Sequence, residues 1–325
     1  MLVFIIRRAL EGIVVMLVVT LIAFTLFRFV GDPIHQMVGL ETGIEDREKL
    51  RQALGLNDGI IVQFLHFVWN ALHFNFGNSY QFKKPVTELI AERLPATLEL
   101  SAISAGFSLA LGIPLGVYTA LDPRSFISKL LLAVSLLGIS LPTFLVGILL
   151  IFIFSVKLQI VPSFGRGDVV KIGFWSTGLL TTSGLKAIIL PALTLGLFQM
   201  ALIMRLVRAD MLEVLRADYI KFARARGLSN RVVYFGHALK NTLVPVMTIA
   251  GLQLGSIVAF AIITETVFQW PGMGLMFLQA VQNADIPIMA AYLLLVALGF
   301  VTINLLVDLL YVVVDPRIRI GARDG

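Results

Sequence analysis

The stretch at residues 216–245 reads RADYIKFARARGLSNRVVYFGHALKNTLVP. It follows an apolar run at 187–207 and leads into another at 244–267. Between these runs the chain gathers basic residues among small and aromatic side chains. The basic residues are Arg216, Lys221, Arg224, Arg226, Arg231 and Lys240. A basic segment between two long apolar runs predicts a connection, outside a membrane, between two helices that cross it.

The composition of the whole chain agrees with this interpretation. The 325 residues are 58% hydrophobic and 14% charged, and the mean hydropathy is +0.91. Soluble domains carry about 25% charged residues, so this composition indicates an integral membrane protein. The net charge of +6 therefore bears on membrane orientation rather than on nucleic-acid binding. The chain has no cysteine, which excludes disulfides, a thiol nucleophile and cysteinyl metal sites.

Six apolar runs are long enough to cross a bilayer, which takes about 20 residues. We expect all six to be helices, because lipid offers no partner for an unpaired backbone amide. The first run is longer than the core of a signal peptide, so we expect it to be retained. Pro114 and Pro142, with Gly112, Gly116, Gly138 and Gly147 around them, predict kinks or close helix contacts rather than breaks. The predicted spans are 9–30, 98–121, 130–156, 187–207, 244–267 and 288–314.

The positions of Lys and Arg predict the orientation, since short basic loops mark the cytoplasmic side. We expect both termini and the 216–245 segment to be cytoplasmic. The predicted parts are a first transmembrane helix (1–30), an extracytoplasmic helical region (31–96), a five-helix core (97–314) with a cytoplasmic loop at 208–243, and a cytoplasmic tail (315–325) that holds Arg317, Arg319 and Arg323.

The region at 31–96 contains two helical patterns. REKLRQALGL predicts a short helix that ends at Gly55. In IIVQFLHFVWNALHFNFG (60–77), apolar residues fall on one face and predict an amphipathic helix that lies on the outer leaflet or packs over the spans. That face holds Ile61, Phe64, Leu65, Val68, Leu72 and Phe76. We interpret His66 and His73 as ordinary interfacial residues, because a metal site needs more converging ligands.

No common catalytic motif occurs in the sequence. There is no phosphate-binding G-x-x-x-x-G-K-[ST], no H-E-x-x-H and no G-x-S-x-G. The predicted spans are poor in charge, and the exceptions Arg28, Glu265 and Asp308 each lie near a helix end where a long side chain can reach the interface, as Glu11, Glu99 and Arg205 do. Asp308 is the best candidate for coupling an ion, but a role at the inner end of the helix or in helix packing is favoured. A transporter without a visible energy source predicts a partner that supplies the energy.

The 216–245 segment is typical of a helix–turn–helix elbow. Leu212, Leu215, Tyr219 and Phe222 recur at helical spacing and predict one apolar face. Ala223, Ala225 and Gly227 have little or no side chain, so another surface could approach the backbone there. Gly227 suits a left-handed helix end, Ser229 a new cap, and Pro245 the start of the fifth span. Docking into a partner's cleft and attraction to anionic lipid both remain open.

Several motifs resemble the dipeptide/oligopeptide/nickel permeases of ATP-binding-cassette (ABC) importers. DYIKFARARGLSNRVVYFGHALKNTLVPVMT is similar to the cytoplasmic loop of that family, and ETVFQWPGMG (265–274) to its signature after the fifth span. The resemblance extends over the full chain. The remaining motifs are the RR start, GDP (31–33), LGL (54–56), LPATLEL (94–100), LPALTLG (190–196) and VDPRIR (314–319).

The resemblance implies an all-α membrane protein with six spans, the type I ABC importer permease fold, and an extracytoplasmic helical insertion after the first span. It implies a coupling helix around 217–228 that docks on an ATPase. The implied coupling residues are Tyr219, Ala223, Arg224, Ala225 and Gly227, and the signature residues are Glu265, Trp270, Pro271, Gly272 and Gly274. Where the broader family has Glu-Ala-Ala, this chain has Lys221, Phe222 and Ala223, so no acidic contact with the ATPase is expected.

The same resemblance implies the partners and the cargo. The partners are a second homologous permease chain, two ABC ATPases that bind ATP and magnesium, an extracytoplasmic solute-binding protein and the lipid of a bacterial inner membrane. The chain itself is expected to hold no cofactor or metal, to catalyse nothing and to bind no nucleic acid. Di- or oligopeptides are the expected cargo, with nickel chelates, glutathione or another small solute as alternatives. A self-contained ion-coupled carrier or channel, and a membrane enzyme or scaffold, are the alternatives from outside this class.

Overall fold

The computed structural model describes residues 2–29, 43–53 and 57–314 of the chain. The GDP motif at 31–33, the predicted helix end at Gly55, and the tail at 315–325 with its three arginines lie outside the described residues. The described part is mostly helical. Its helices are α1 (Leu2–Phe29), α2 (Ile44–Ala53), α3 (Ile60–Leu72), α4 (Val86–Leu121), α5 (Phe126–Ser140), α6 (Thr143–Leu150, continued by a π-helix Ile151–Lys157), α7 (Thr182–Val214), α8 (Asp218–Ala225), α9 (Leu239–Val267, preceded by a π-helix Val232–Ala238), α10 (Met273–Gln282) and α11 (Ile286–Val314).

Four of these helices are each long and apolar enough to cross a membrane, and two bent helix pairs pass the same test. The pairs are Phe126–Ser140 with Thr143–Lys157, and Pro245–Gly251 with Gly255–Val267, the two parts of α9 that meet at 44°. Counting each pair as one span gives six among the described residues, as predicted. The four single spans are Ile6–Leu26, Val86–Leu121, Thr182–Val214 and Ile286–Leu309. At 1.5 Å per residue the 36 residues of α4 measure about 54 Å, so this helix extends well beyond a hydrocarbon core.

The prolines differ in whether they interrupt the helix that contains them. Pro114 lies inside α4, and Pro245 lies inside α9, where the candidate fifth span begins at Pro245 as predicted although the helix itself starts earlier. At Pro142 the prediction of a kink was wrong, because α5 and α6 are separate helices that meet at 111°. The residue before a proline is pushed out of the helical region, and Leu141 accordingly has an extended backbone at φ −83° and ψ 135°.

Glycines bring the spans close together. A Cβ on Gly116 would lie 2.6 Å from Val207 Cβ of α7, and one on Gly251 would lie 2.3 Å from Val307 Cγ2 of α11. Small residues allow helix backbones to approach in lipid, where van der Waals packing drives association. The predicted close contacts are confirmed at Gly112, Gly116 and Gly147. Gly138 faces open space, with no described atom within 4 Å of a Cβ built there.

A two-stranded antiparallel sheet, which the sequence did not predict, lies between the third and fourth spans. Strands β1 (Val170–Ile172) and β2 (Trp175–Thr177) pair with Ile172 opposite Trp175. The two-residue turn begins at Gly173, whose φ of +62° suits a tight hairpin. The hairpin leaves the predominantly helical fold class unchanged.

The bundle has two distinct ends. At one end, called the elbow end, buried residues of α4 and α7 pack against α8 and the start of the fifth span; they include Val117, Val207, Met211, Ile220 and Val233. At the opposite end, called the signature end, the start of α4 packs against α10 and α11 through residues that include Val86, Leu89, Met273, Met276 and Ile288. The segments that carry the candidate functional residues therefore lie at the two ends.

Candidate functional site

The elbow is built from two turns around one short helix. Helix α7 ends at Val214, and the chain turns through residues 215–217 before α8 begins at Asp218. Helix α8 ends at Ala225, and helix resumes at residue 230 and continues through the π-helix into α9. The prediction of an elbow is therefore confirmed, although the first helix is interrupted where a continuous pattern was expected.

The interruption changes which residues face the core. Leu212 and Leu215 pack against the core of the elbow end, but Tyr219 and Phe222 are 44% and 65% exposed. The prediction of one continuous apolar face was wrong, because the turn at 215–217 shifts the helical phase. Ile220 is the fully buried residue of α8, and it packs in the core of the elbow end, where α8 lies against the π-helix Val232–Ala238.

Ala223 lies on the inward face of α8. It is only 7% exposed and packs in the core of the elbow end, so the interpretation that its small side chain is open to a partner was wrong. Ala225 and Gly227 are exposed. Arg224 places its guanidinium 5.9 Å from the centre of the Tyr234 ring, and the Tyr219 hydroxyl accepts a 2.9 Å hydrogen bond from Asn241 Nδ2. These contacts fix α8 to the helix that follows.

Gly227 forms the turn at the end of α8. Its φ is +79°, a left-handed conformation that glycine adopts without a Cβ penalty, as predicted. Its N–H donates to Arg224 O at 2.9 Å, and the Leu228 N–H donates to Ala223 O at 3.4 Å. No described atom lies within 4 Å of a Cβ built on Gly227. The glycine therefore serves the backbone turn, and the space around it is open.

The outward surface of the elbow combines apolar and basic residues. We call it the elbow face, and it comprises Tyr219, Phe222, Ala225, Gly227 and Leu228. Lys221 and Arg226 flank it, and Arg226 lies 5.8 Å from the centre of the Phe222 ring. Asp218 accepts a 2.9 Å hydrogen bond from Lys221, which lowers the pKa of the Asp218 carboxyl. An exposed aromatic centre with a charged rim has the anatomy of a protein interface.

The signature segment builds a buried polar cluster at the opposite end of α9. Glu265 is 0% exposed, so the expectation that its side chain reaches the interface was wrong. Its carboxylate accepts from Thr97 Oγ1 at 2.6 Å and from the Leu275 N–H at 2.9 Å. Thr97 Oγ1 in turn accepts from the Met273 N–H at 2.8 Å. The carboxylate thus sits at the N-terminus of α10, where unpaired amides and the helix dipole favour a negative charge.

The other signature residues make room for this carboxylate. A Cβ on Gly272 would overlap the Glu265 carboxylate, at 2.2 Å from Oε1, and one on Gly274 would lie 2.6 Å from the Ile262 backbone. Trp270 is 1% exposed, and its Nε1 donates to Ala96 O at 3.0 Å. Pro271 lies between Trp270 and Gly272, in the turn from α9 to α10. The signature therefore ties the fifth span, α10 and α4 together.

A second buried cluster, which the sequence reasoning missed, lies beside Trp270. Arg166 Nη2 lies 2.5 Å from Glu99 Oε2, and these side chains are only 5% and 6% exposed. Glu99 Oε1 also accepts from Trp175 Nε1 at 3.1 Å, and Arg166 Nη2 donates to Ser176 O at 2.6 Å. The guanidinium lies 5.9 Å from the Trp270 ring centre. The sequence signal for this pair is Glu99, an acidic residue within the otherwise uncharged LPATLEL motif.

A third missed cluster joins the segment just before α4 to the start of α11. Ser79 Oγ donates to Asp285 Oδ2 at 2.5 Å, and the Gln81 N–H donates to the same oxygen at 3.1 Å. The Ser79 and Asp285 side chains are both buried. Burial, and secondarily the negative charge of Asp285, raises the pKa of the neighbouring Tyr80. Asp285 directly precedes α11, so it fixes this connection where the sixth span begins.

Asp308 forms an ion pair between two spans in the described part of the chain. Its Oδ2 lies 2.9 Å from Arg8 Nε, and Arg8 also pairs with Glu11. The pair joins α1 to α11 at the elbow end, which agrees with a role in helix packing. Within residues 2–29, 43–53 and 57–314 there is no group of three or more His, Asp or Glu placed to hold a metal ion.

Six helical spans, an elbow packed onto one end of them and a fixed turn at the other end are the architecture of a membrane transport subunit of the permease class. Family models match residues 112–320 as the "binding-protein-dependent transport system inner membrane component" and residues 1–101 as the N-terminal part of such components. The chain belongs to this family of permease components of ABC importers.

Individual relatives agree over nearly their whole length. The chain is 40% identical to the dipeptide transport system permease protein DppB of Escherichia coli K12, over 98% of this chain and 99% of that protein. It is 36% identical to a putative peptide transport system permease protein of Brucella abortus, over 97% and 98% of the two chains. It is also 36% identical to DppB of Alkalihalophilus pseudofirmus, over 98% of this chain and all of that protein.

Solved structures share the fold at low sequence identity. Inward-facing structures of the MetNI methionine ABC transporter contain a chain that superposes with a TM-score of 0.54 at 20% identity, over 70% of this chain and 96% of that one. A second crystal form gives a TM-score of 0.56 at 18% identity, over the same shares. This similarity supports the type I importer permease fold.

Proposed function

We propose that this chain is the permease subunit of an ATP-driven importer of di- or oligopeptides. It forms the translocation path with a second, homologous permease chain. Two ATPase subunits bind ATP and magnesium and hydrolyse the nucleotide, and an extracytoplasmic binding protein delivers the solute. The peptide cargo is supported by the names of the full-length relatives, which include dipeptide and putative peptide permeases.

The observation that carries the proposal is the construction of the elbow. Ile220 and Ala223 are buried in the core of the elbow end, whereas Tyr219, Phe222 and Ala225 of the same eight-residue helix are exposed. A helix held in this way transmits a push from a partner into that core, to which α4, α7 and the start of the fifth span contribute, because packed interiors deform little. The elbow face is the surface on which the ATPase would dock.

The proposed orientation places the elbow and both termini in the cytoplasm of a bacterium, with the spans in its inner membrane. Arg8 of α1 pairs with Asp308 of α11, so the start of the first span, with its two arginines, and the end of the last span lie together on the elbow side. This arrangement agrees with the rule that short basic segments stay inside. The Glu265 and Arg166 clusters then lie on the extracytoplasmic side, where the binding protein would deliver the solute.

Nickel chelates, glutathione and other small solutes are alternative cargoes of the same architecture. An ion-coupled carrier has less support, since its best coupling candidate, Asp308, is engaged with Arg8. Uptake of a radiolabelled dipeptide by the assembled transporter in proteoliposomes, with its binding protein present, tests the cargo directly. Absence of ATP-dependent dipeptide uptake by that complex would refute the peptide assignment.

The docking surface is tested by Ala225→Trp, which adds bulk to an exposed helical position without forcing a left-handed backbone. We expect the variant to lose at least about tenfold in uptake rate, because a bulky side chain in the centre of a packed interface costs several kcal/mol. Ala91→Trp is the matched control, since Ala91 is exposed on α4 near the signature end. Uptake by Ala225→Trp within twofold of that control would contradict docking at the elbow face.

A further inference from the structure

Helix α3 packs beside the signature ends of the first and last spans. Phe64 and Phe67 place their ring centres 5.4 Å and 5.8 Å from that of Phe24 in α1. Phe67 also packs, with Ala71, against a buried cluster of Ala23, Ala290 and Leu294 from α1 and α11. One side of α3 is therefore fixed to the bundle.

These contacts place α3 at membrane depth. Phe24 lies inside the apolar window Ile6–Leu26 of α1, and Leu294 lies inside the window Ile286–Leu309 of α11. Leu294 is eight residues from the start of its window, which corresponds to about 12 Å along the helix axis. A helix that reaches these residues lies alongside the ends of the spans and not above them.

The rest of the helix surface divides into an apolar part and a polar part. We call the exposed apolar part the lipid sector; it comprises Ile61, Leu65, Trp69 and Leu72, which are 73%, 58%, 64% and 70% exposed. The polar edge comprises His66, Asn70 and His73, which are also exposed and recur at helical spacing. The 13 residues of α3 include no Asp, Glu, Lys or Arg.

We propose that α3 is an interfacial helix whose lipid sector is covered by the acyl chains of the adjoining leaflet, with its polar edge at the headgroups. The 13 residues of α3 are too few to cross a bilayer. The neighbouring span α1 likewise exposes apolar side chains, with Leu17 and Leu21 50% and 54% exposed. Trp69 suits this position, since tryptophan concentrates at membrane interfaces.

Lipid is a better candidate than a soluble protein for covering the lipid sector. A partner that approaches from water would meet the polar edge first, because the lipid sector lies at the depth of residues within the two apolar windows. In the proposed orientation the leaflet is the outer one. The assignment to lipid itself depends on depth and on the division of the helix surface, so it stands or falls independently of the importer's cargo.

Site-directed spin labelling tests the proposal cleanly, because the chain has no native cysteine. A nitroxide is attached at Leu65→Cys in the full-length chain, assembled with its partner subunits in nanodiscs, and its accessibility to oxygen and to a water-soluble nickel chelate is measured. Oxygen concentrates among acyl chains, and the chelate stays in water. Asn70→Cys is the matched control, since it lies on the polar edge of the same helix.

We expect the ratio of oxygen accessibility to chelate accessibility to be at least about fivefold higher at position 65 than at position 70. Leu72→Cys gives a second measurement in the lipid sector, should the first variant fail to assemble. Equal ratios at the two faces would place the lipid sector in water and overturn the proposal. A label at 65 shielded from both reagents would also overturn it, because a second permease chain or the binding protein would then cover the sector.

Discussion

Removal of the Arg166 side chain should destabilise the bundle strongly. In the native chain Arg166 neutralises Glu99 at 2.5 Å in a site where both side chains are almost fully buried. In Arg166→Ala the Glu99 carboxylate would keep its hydrogen bond from Trp175 Nε1 but lose its countercharge. Two hydrogen bonds from the guanidinium to Ser176, at 2.6 Å and 3.2 Å, would be lost as well.

The expected magnitude follows from the burial of this pair. Removing one partner of a buried ion pair costs about 3–5 kcal/mol, because an uncompensated charge remains inside. We expect the lower end, about 3 kcal/mol, because Arg166 Nε is already buried without a hydrogen-bond partner among the described residues. At about 2–4 °C per kcal/mol for a chain of this order of size, the apparent Tm should fall by about 6–12 °C.

The assay is thermal unfolding in detergent, followed by fluorescence-detected size exclusion at one heating protocol for all variants, because unfolding of such proteins is commonly irreversible. Lys84→Ala is the control. Lys84 forms an exposed pair with Glu88 at 3.6 Å, with both side chains about half exposed. Its loss should cost at most about 1 kcal/mol. The control therefore separates burial of a charge from the mere loss of an ion pair.

A double variant sharpens the test. Replacing both charges, as in Arg166→Met with Glu99→Gln, leaves no buried charge and should recover at least about half of the lost stability. The reasoning would be refuted if Arg166→Ala melted within about 2 °C of Lys84→Ala, since that difference corresponds to less than about 1 kcal/mol. It would equally fail if the double variant were no more stable than the single one.

Two further predictions follow from the contacts of single residues. Gly272→Ala should lower the apparent Tm by several degrees, because its Cβ would overlap the Glu265 carboxylate at 2.2 Å. The control Gly138→Ala should not lower the Tm, because no described atom lies within 4 Å of a Cβ built there. Equal melting of the two variants in the same size-exclusion assay would contradict this prediction. Asp308→Asn should leave ATP-dependent uptake within about twofold and lower the Tm only slightly, because it removes one partly exposed ion pair with Arg8. Loss of uptake in a stable variant would instead support an ion-coupling role.

Much of the fold could be predicted because lipid imposes strict requirements on sequence. A spanning helix must be apolar over about 20 residues, so the six spans are visible as runs of hydrophobic residues. The Gly227 turn was also visible, since its φ of +79° belongs to a conformation that glycine adopts readily. The break at Pro142 was harder, because Pro114 and Pro245 do not interrupt the helices that contain them.

Candidate site residues were predicted unevenly. The signature residues were identified as a group from their resemblance to a family, but the reason for the group lies in contacts with a distant segment. Thr97 binds Glu265 across 168 residues of sequence, and Arg166 meets Glu99 across 67. No local pattern encodes such pairings, since a charged residue in an apolar run looks alike whether it reaches water or finds a buried partner.

The sequence by itself determined that this is a helical membrane protein with six spans, a basic elbow between the fourth and fifth of them, and a glycine-based turn at its tip. Only the tertiary structure decided which face of each segment is buried in the protein. The turn at 215–217 reset the helical phase, so that Ile220 and Ala223 became core while Tyr219 and Phe222 became surface. The physical reason is that apolar periodicity shows which residues of a segment favour burial. Which neighbours bury them depends on how the helices pack in three dimensions.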